Sequence, residues 1–100
     1  MGPADLTLPS QPPAGATSID LLVHERACAS GQSAEGRVEI IDVQETEDQV
    51  RLRIGVRPRE GGQDCPGNPP TPFTVDLSEP LGERKIVDAS IVPPRTVTVG

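Results

Sequence analysis

Apolar and polar residues alternate with period two in several short stretches of this chain, and Pro- and Gly-rich breaks separate them. In SIDLLVHER, Ile19, Leu21 and Val23 point to one side, and Asp20, Leu22 and His24 to the other. That is the pattern of a half-buried strand. The alternation is strictest in QVRLRIGVR, where Val50, Leu52, Ile54 and Val56 interleave with Arg51, Arg53, Gly55 and Arg57. RVEIIDVQE precedes it, and the polar Thr46-Glu47-Asp48 between them predicts a hairpin. Within RVEIIDVQE the apolar positions change parity, from Val38 and Ile40 to Ile41 and Val43. One strand can direct all four toward the same core only with a β-bulge near Ile40-Ile41.

Pro58 ends the second strand of the hairpin, and PREGGQDCPGNPPTP forms a stiff connector. Alternation resumes with Phe73, Val75 and Leu77 inward, SEPLGE turns, and RKIVDAS predicts a further strand that Ile91-Val92 extends. Pro93-Pro94 breaks it, and TVTV closes the domain. Upstream, residues 1–17 are rich in Pro, Gly and Ala and predict an extended linker, with at most a short strand at Leu6–Leu8. No segment has helical period. Six to seven strands at such spacing predict an all-β, immunoglobulin-like antiparallel sandwich over residues 18–99.

Composition makes the core thin. The chain has 100 residues, 34% apolar, with Phe73 its single aromatic. Small domains bury a modest share of their surface, and aromatics normally carry much of it. Cys28 and Cys65 lie in turn-forming stretches on either side of the hairpin, without CxxC or metal-ligand spacing. A structural disulfide, and with it an oxidising compartment, is the expected use of this pair. The net charge of −6 disfavours nucleic acid and anionic membranes as partners, and no stretch is long and apolar enough to span a bilayer. The first seventeen residues lack the charged head and apolar middle of a secretory signal, so an exported protein would have lost its signal upstream of Met1.

Candidate chemistry is sparse. His24 is the one histidine, and no HExxH, GxSxG, P-loop or dinucleotide fingerprint accompanies it. No catalytic residue, cofactor or metal site is expected. The acidic turn with Asp42, Glu45, Glu47 and Asp48 lacks the glycine and ligand spacing of a calcium loop and reads as a solvated hairpin tip. Two binding candidates stand out. The stripe Arg51, Arg53, Arg57, extended by Arg59, places guanidinium forks along one strand face. It is either a docking face for an acidic protein or glycan, or an ordinary solvent face paired with Glu39 and Asp42. The loop from Gly61 to Pro72, with Asp64 and Asn68, is either a rigid presenting loop or a strap over the core.

The stretches Ala27-Cys28-Ala29-Ser30-Gly31, Val56-Arg57-Pro58 and Cys65-Pro66-Gly67-Asn68-Pro69 resemble segments of uncharacterised secreted proteins and lipoproteins of actinobacteria. The resemblance spans about Leu21 to Pro94. It implies an extracytoplasmic location, secreted or envelope-associated, with a lipid anchor on the full-length protein as one form. It also implies a paired Cys28–Cys65, and it brings no activity. The expected function is a monomeric, non-enzymatic module, either structural (a domain of a larger exported polypeptide with no ligand of its own) or docking an envelope or secreted protein or an acidic glycan. The alternative is an accessory domain of a secreted enzyme, or a small hydrolase or redox accessory using His24.

Overall fold

The computed structural model describes residues 2–100, which form seven strands in two sheets. Strands β1 (Ala4–Thr7), β2 (Ser18–Glu25) and β5 (Thr71–Asp76) make a three-stranded sheet in the order β1-β2-β5. Strands β3 (Val38–Glu45), β4 (Gln49–Val56), β6 (Lys85–Asp88) and β7 (Arg95–Thr96) make the second, in the order β3-β4-β6-β7.

The hairpin forms as its alternation requires. Val38 lies opposite Val56 and Ile40 opposite Ile54; the register then shifts between Ile40 and Asp42, so that Val43 lies opposite Leu52. Ile41 is the extra residue. The bulge lets Val38 and Val43 both pack against the core despite their change of parity. Not all four apolar residues follow: Ile40, though on the same side, stays 45% exposed at the sheet edge, and Ile41, as the extra residue, is 47% exposed.

Three expectations need correction. The sandwich is not antiparallel throughout, because β4 and β6 pair in parallel, Gln49 with Lys85 through Leu52 with Asp88. The chain crosses to the opposite sheet after β4, at the end that holds the cysteines. It runs along β5 and crosses back at the other end, where β4 begins. A strand entered from that end must run alongside β4 in the same sense, with β5 serving as the crossover. The second correction concerns the stretch read as a linker. Ala4, Leu6 and Leu8 are buried and alternate with Asp5 and Thr7, and β1 pairs antiparallel with β2. Flanking prolines and glycines hide a strand that is only four residues long. Past β1, Leu8 N donates to Thr98 O, and before it Gly2 exchanges two hydrogen bonds with Val56, so the N-terminal segment ties both sheets together. Third, Ile91-Val92 lies outside β6, which ends at Asp88.

Between the sheets, Leu8, Ile19, Leu21, Val23, Val50, Leu52, Ile54, Val56, Val75 and Leu81 are fully buried. Each such side chain contributes about 1.5–3 kcal/mol relative to an exposed position. Phe73 is only partly buried and packs at the margin of this cluster. The core is thus aliphatic, and both ends of the sandwich are closed by polar clamps.

Candidate functional site

Arg51 and Arg53 project from the outer face of the four-stranded sheet, because their neighbours Val50, Leu52 and Ile54 fill the core. Across the ladder, Gln44 lies opposite Arg51, Asp42 opposite Arg53 and Glu39 opposite Gly55. Arg51, Arg53, Asp42, Gln44 and Ala89 line an open groove of about 280 Å³. Arg53 also borders a second groove of about 230 Å³, shared with Ile41, Gly55 and Ile91. Arg51 Nη1 donates to Gln49 Oε1 at 3.2 Å, whereas Arg53 makes no hydrogen bond or ion pair to protein among the described residues. An exposed guanidinium without an internal partner, flanked by isoleucines, can offer its planar fork to a carboxylate, sulfate or phosphate.

The arginine stripe is shorter than its sequence spacing suggests. Arg57 follows the end of β4 and is engaged locally, its Nε 3.2 Å from Glu39 Oε1 and its Nη2 donating to Gly36 O. Arg59 lies exposed in the loop beyond Pro58, away from the strand face. Only Arg51 and Arg53 share the groove.

The disulfide Cys28–Cys65 joins the β2–β3 loop to the β4–β5 loop, with its Cα atoms 4.7 Å apart. Both cysteines are exposed. Around the bridge, Ser30 N donates to Asp64 O, Asp64 N donates to Ser30 Oγ, and Ser30 Oγ donates to Gln63 Oε1. Asn68 Nδ2 donates to the carbonyls of Glu25 and Ala27, which fixes the amide orientation and leaves Oδ1 buried without a protein partner. Asp64 and Asn68, the candidate residues of this loop, therefore sit in a loop-to-loop lattice. Gly31, at φ 73°, turns against Pro66, whose Cγ would lie 3.2 Å from an added Cβ.

Beneath the same loops lies an ion pair that sequence reading did not single out. Arg37 donates from both terminal nitrogens to Glu25 at 2.8 Å, and the side chains are 16% and 3% exposed. Arg37 also donates to Arg57 O and Ser33 O. The hydrogen bonds to Glu25 hold the Arg37 guanidinium above its ordinary pKa. The signal was present in β2, where Glu25 continues the inward parity of Ile19, Leu21 and Val23.

At the opposite end, Glu45 Oε2 accepts from Ser78 N and Oγ, and Glu45 Oε1 lies 3.3 Å from Arg84 Nη1. Arg84 also donates to the carbonyls of Leu81, Glu79 and Pro80. The Ser78 backbone and hydroxyl donors, with Arg84, hold the Glu45 carboxyl below its ordinary pKa. An open groove of about 720 Å³ lies here, bordered by Glu47, Asp48, Glu79, Glu83 and Lys85. Among the described residues no three His, Cys, Asp or Glu side chains are grouped to hold a metal ion.

His24 lies on the outer face of the three-stranded sheet, its Nε2 2.9 Å from Thr7 Oγ1. It borders none of the grooves above, and its neighbour Glu25 is committed to Arg37. Among the described residues, no helix is long and apolar enough to cross a membrane. Comparison with protein-family models, with curated proteins and with solved structures finds no match to this chain.

Proposed function

We propose that this domain is a non-enzymatic, extracytoplasmic interaction module that docks an acidic partner on the outer face of its four-stranded sheet. The observation that carries the reading is Arg53: exposed, without a partner among the described residues, beside Arg51 in a groove on the four-stranded sheet. The strand fixes the backbone beneath Arg53, so binding need order only its side chain, and the planar fork suits a carboxylate- or sulfate-bearing surface. Size, layering and loops at the ends match immunoglobulin-like interaction modules, with the parallel β4–β6 pair as the departure. The Cys28–Cys65 bridge supports an oxidising compartment, in keeping with the secreted or envelope location that the actinobacterial resemblance implies.

The alternative, an enzyme accessory working through His24, would need that histidine beside a concave site. Its bond to Thr7 on a sheet face gives that alternative no support.

The test is retention on an immobilised sulfated polysaccharide and on immobilised poly-glutamate at low salt. A protein of net charge −6 should be retained only through a local basic site. Reversal of Arg51 and Arg53 to Glu should abolish retention, and reversal of Arg59 should leave it largely intact. Equal elution of all forms from both supports would discard the arginine face.

A further inference from the structure

The geometry points to the free edge of β3 as a strand-addition site for an extended peptide that alternates apolar and basic residues.

A sheet edge is open to a partner strand unless something blocks it, and the edges here differ sharply. On β5, Leu77 N donates to Thr17 O, and the antiparallel alternation from that bond turns the backbone of residues 72, 74 and 76 outward. Pro72 occupies one of those positions, where it has no N–H to offer. β7 is two residues long and follows Pro93-Pro94. β1 is tied at both ends, by Gly2 to Val56 and by Leu8 to the C-terminal segment. β3 has none of these protections except its bulge; it is eight residues long and contains no proline.

Hydrogen bonds at the two ends of the hairpin, Arg57 N to Arg37 O and Thr46 N to Gln49 O, set the alternation along β3. They direct the backbone groups of residues 38 and 40, before the bulge, and 43 and 45, after it, away from β4. Among the described residues no protein group bonds to them. The edge also exposes large apolar side chains, with Ile40 45% and Ile41 47% exposed.

The side chains of β3 define its occupant. Val38, Ile40 and Val43 form the row on the core side, which an incoming strand would extend with apolar residues. Glu39, which already pairs with Arg57, and Asp42, which has no ion-pair partner among the described residues, lie on the other row. That row calls for Lys or Arg. A second copy fits poorly, since β3 against β3 brings like charges together on a chain of net charge −6. Strand addition draws affinity from main-chain bonds and selectivity from alternate side chains. The site adjoins the arginine face and shares Asp42 with it, but it offers backbone groups at the sheet edge and selects the opposite charge.

The probe is a capped, fluorescent eight-residue peptide alternating valine and lysine, titrated by anisotropy. We expect saturable binding. A peptide of the same composition with a central proline should bind at least tenfold more weakly, as should a valine–glutamate peptide. In the protein, Val43→Pro removes an outward N–H without touching the β4 ladder and should weaken binding at least tenfold. Asp42→Lys should do the same and carries the test should the proline variant fail to fold. Arg51→Glu/Arg53→Glu should leave binding at least as tight, which separates this site from the arginine face. The assignment is overturned by absence of binding to the wild-type chain, by equal binding of the proline-interrupted peptide, or by self-association that Asp42→Lys or Val43→Pro abolishes.

Discussion

Replacing both cysteines with alanine isolates the contribution of the Cys28–Cys65 bridge unusually well. Both are exposed and neither belongs to the apolar cluster, so truncation opens no cavity. The neighbouring loops stay joined by the Ser30–Asp64 and Ser30–Gln63 bonds and by Asn68, which holds the native geometry without the sulfurs. The loss should therefore fall on the unfolded chain. With a sequence separation of 37, loop-closure entropy gives about 4 kcal/mol. Domains of this size have roughly 5–15 kcal/mol in total. At about 4–8 °C per kcal/mol, the melting temperature should fall by roughly 15–30 °C.

Urea and thermal melts followed by circular dichroism would measure this on the oxidised wild type, the reduced wild type and the double variant. The native spectra should coincide, and the urea m-value should rise in the uncrosslinked forms, whose unfolded chains expose more surface. Coincident melts with and without reductant would refute the reasoning. A changed native spectrum with an unchanged m-value would show that the bridge acts on the folded loops instead.

Other perturbations test the rest of the frame. Arg37→Met leaves the Glu25 carboxylate buried without its partner and should cost about 3–5 kcal/mol in urea unfolding; a loss below ~1 kcal/mol would mean the pair is solvated. Leu52→Ala, at a fully buried position, should cost about 2–5 kcal/mol, and an unchanged urea midpoint would contradict the core assignment. Because the folded-state pKa of Glu45 is lowered, the unfolded chain binds more protons in the acid range, so this group's stabilisation is present above the unfolded pKa of about 4.3 and is lost as pH falls through the folded value. Glu45→Gln should flatten the acid limb of a stability–pH curve measured by urea midpoints, and parallel curves for wild type and variant would exclude that role.

Much of the fold was legible because strand periodicity is local. The alternation of Val50, Leu52, Ile54 and Val56 and the parity switch at Ile40-Ile41 contain the β4 register and the bulge outright. What escaped was non-local. The β4–β6 pairing depends on which end of the sandwich the chain returns from, and no property of RKIVDAS records that. β1 was only half legible, as a short strand at Leu6–Leu8 within a linker: its alternation, Ala4-Leu6-Leu8, is present but short and framed by prolines. The arginine stripe was half legible. Period two places Arg51, Arg53 and Arg57 on one face, yet only tertiary contacts show that Arg57 is spent on Glu39 and Gly36 while Arg53 has no partner among the described residues.

These contacts also bear on where function can reside. A core of aliphatic side chains with one marginal phenylalanine needs its open ends sealed, and the sequence seals them with polar groups. At one end Arg37 locks Glu25 and Asn68 caps carbonyls beneath the disulfide; at the other Arg84 and Ser78 lock Glu45. End loops on β-sandwiches are the usual site of recognition because their side chains are free to vary. Here Glu25, Arg37 and Asn68 at one end and Glu45 and Arg84 at the other are tied inward, and a substitution of any of these that served a ligand would loosen the end of a thin core. The sheet surfaces carry no such obligation: Arg53 and Asp42 can be exchanged without unsealing anything. In a sandwich stabilised this way, the surfaces open to the proposed recognition are the outer face of β4 and the open edge of β3, away from the sealed loops.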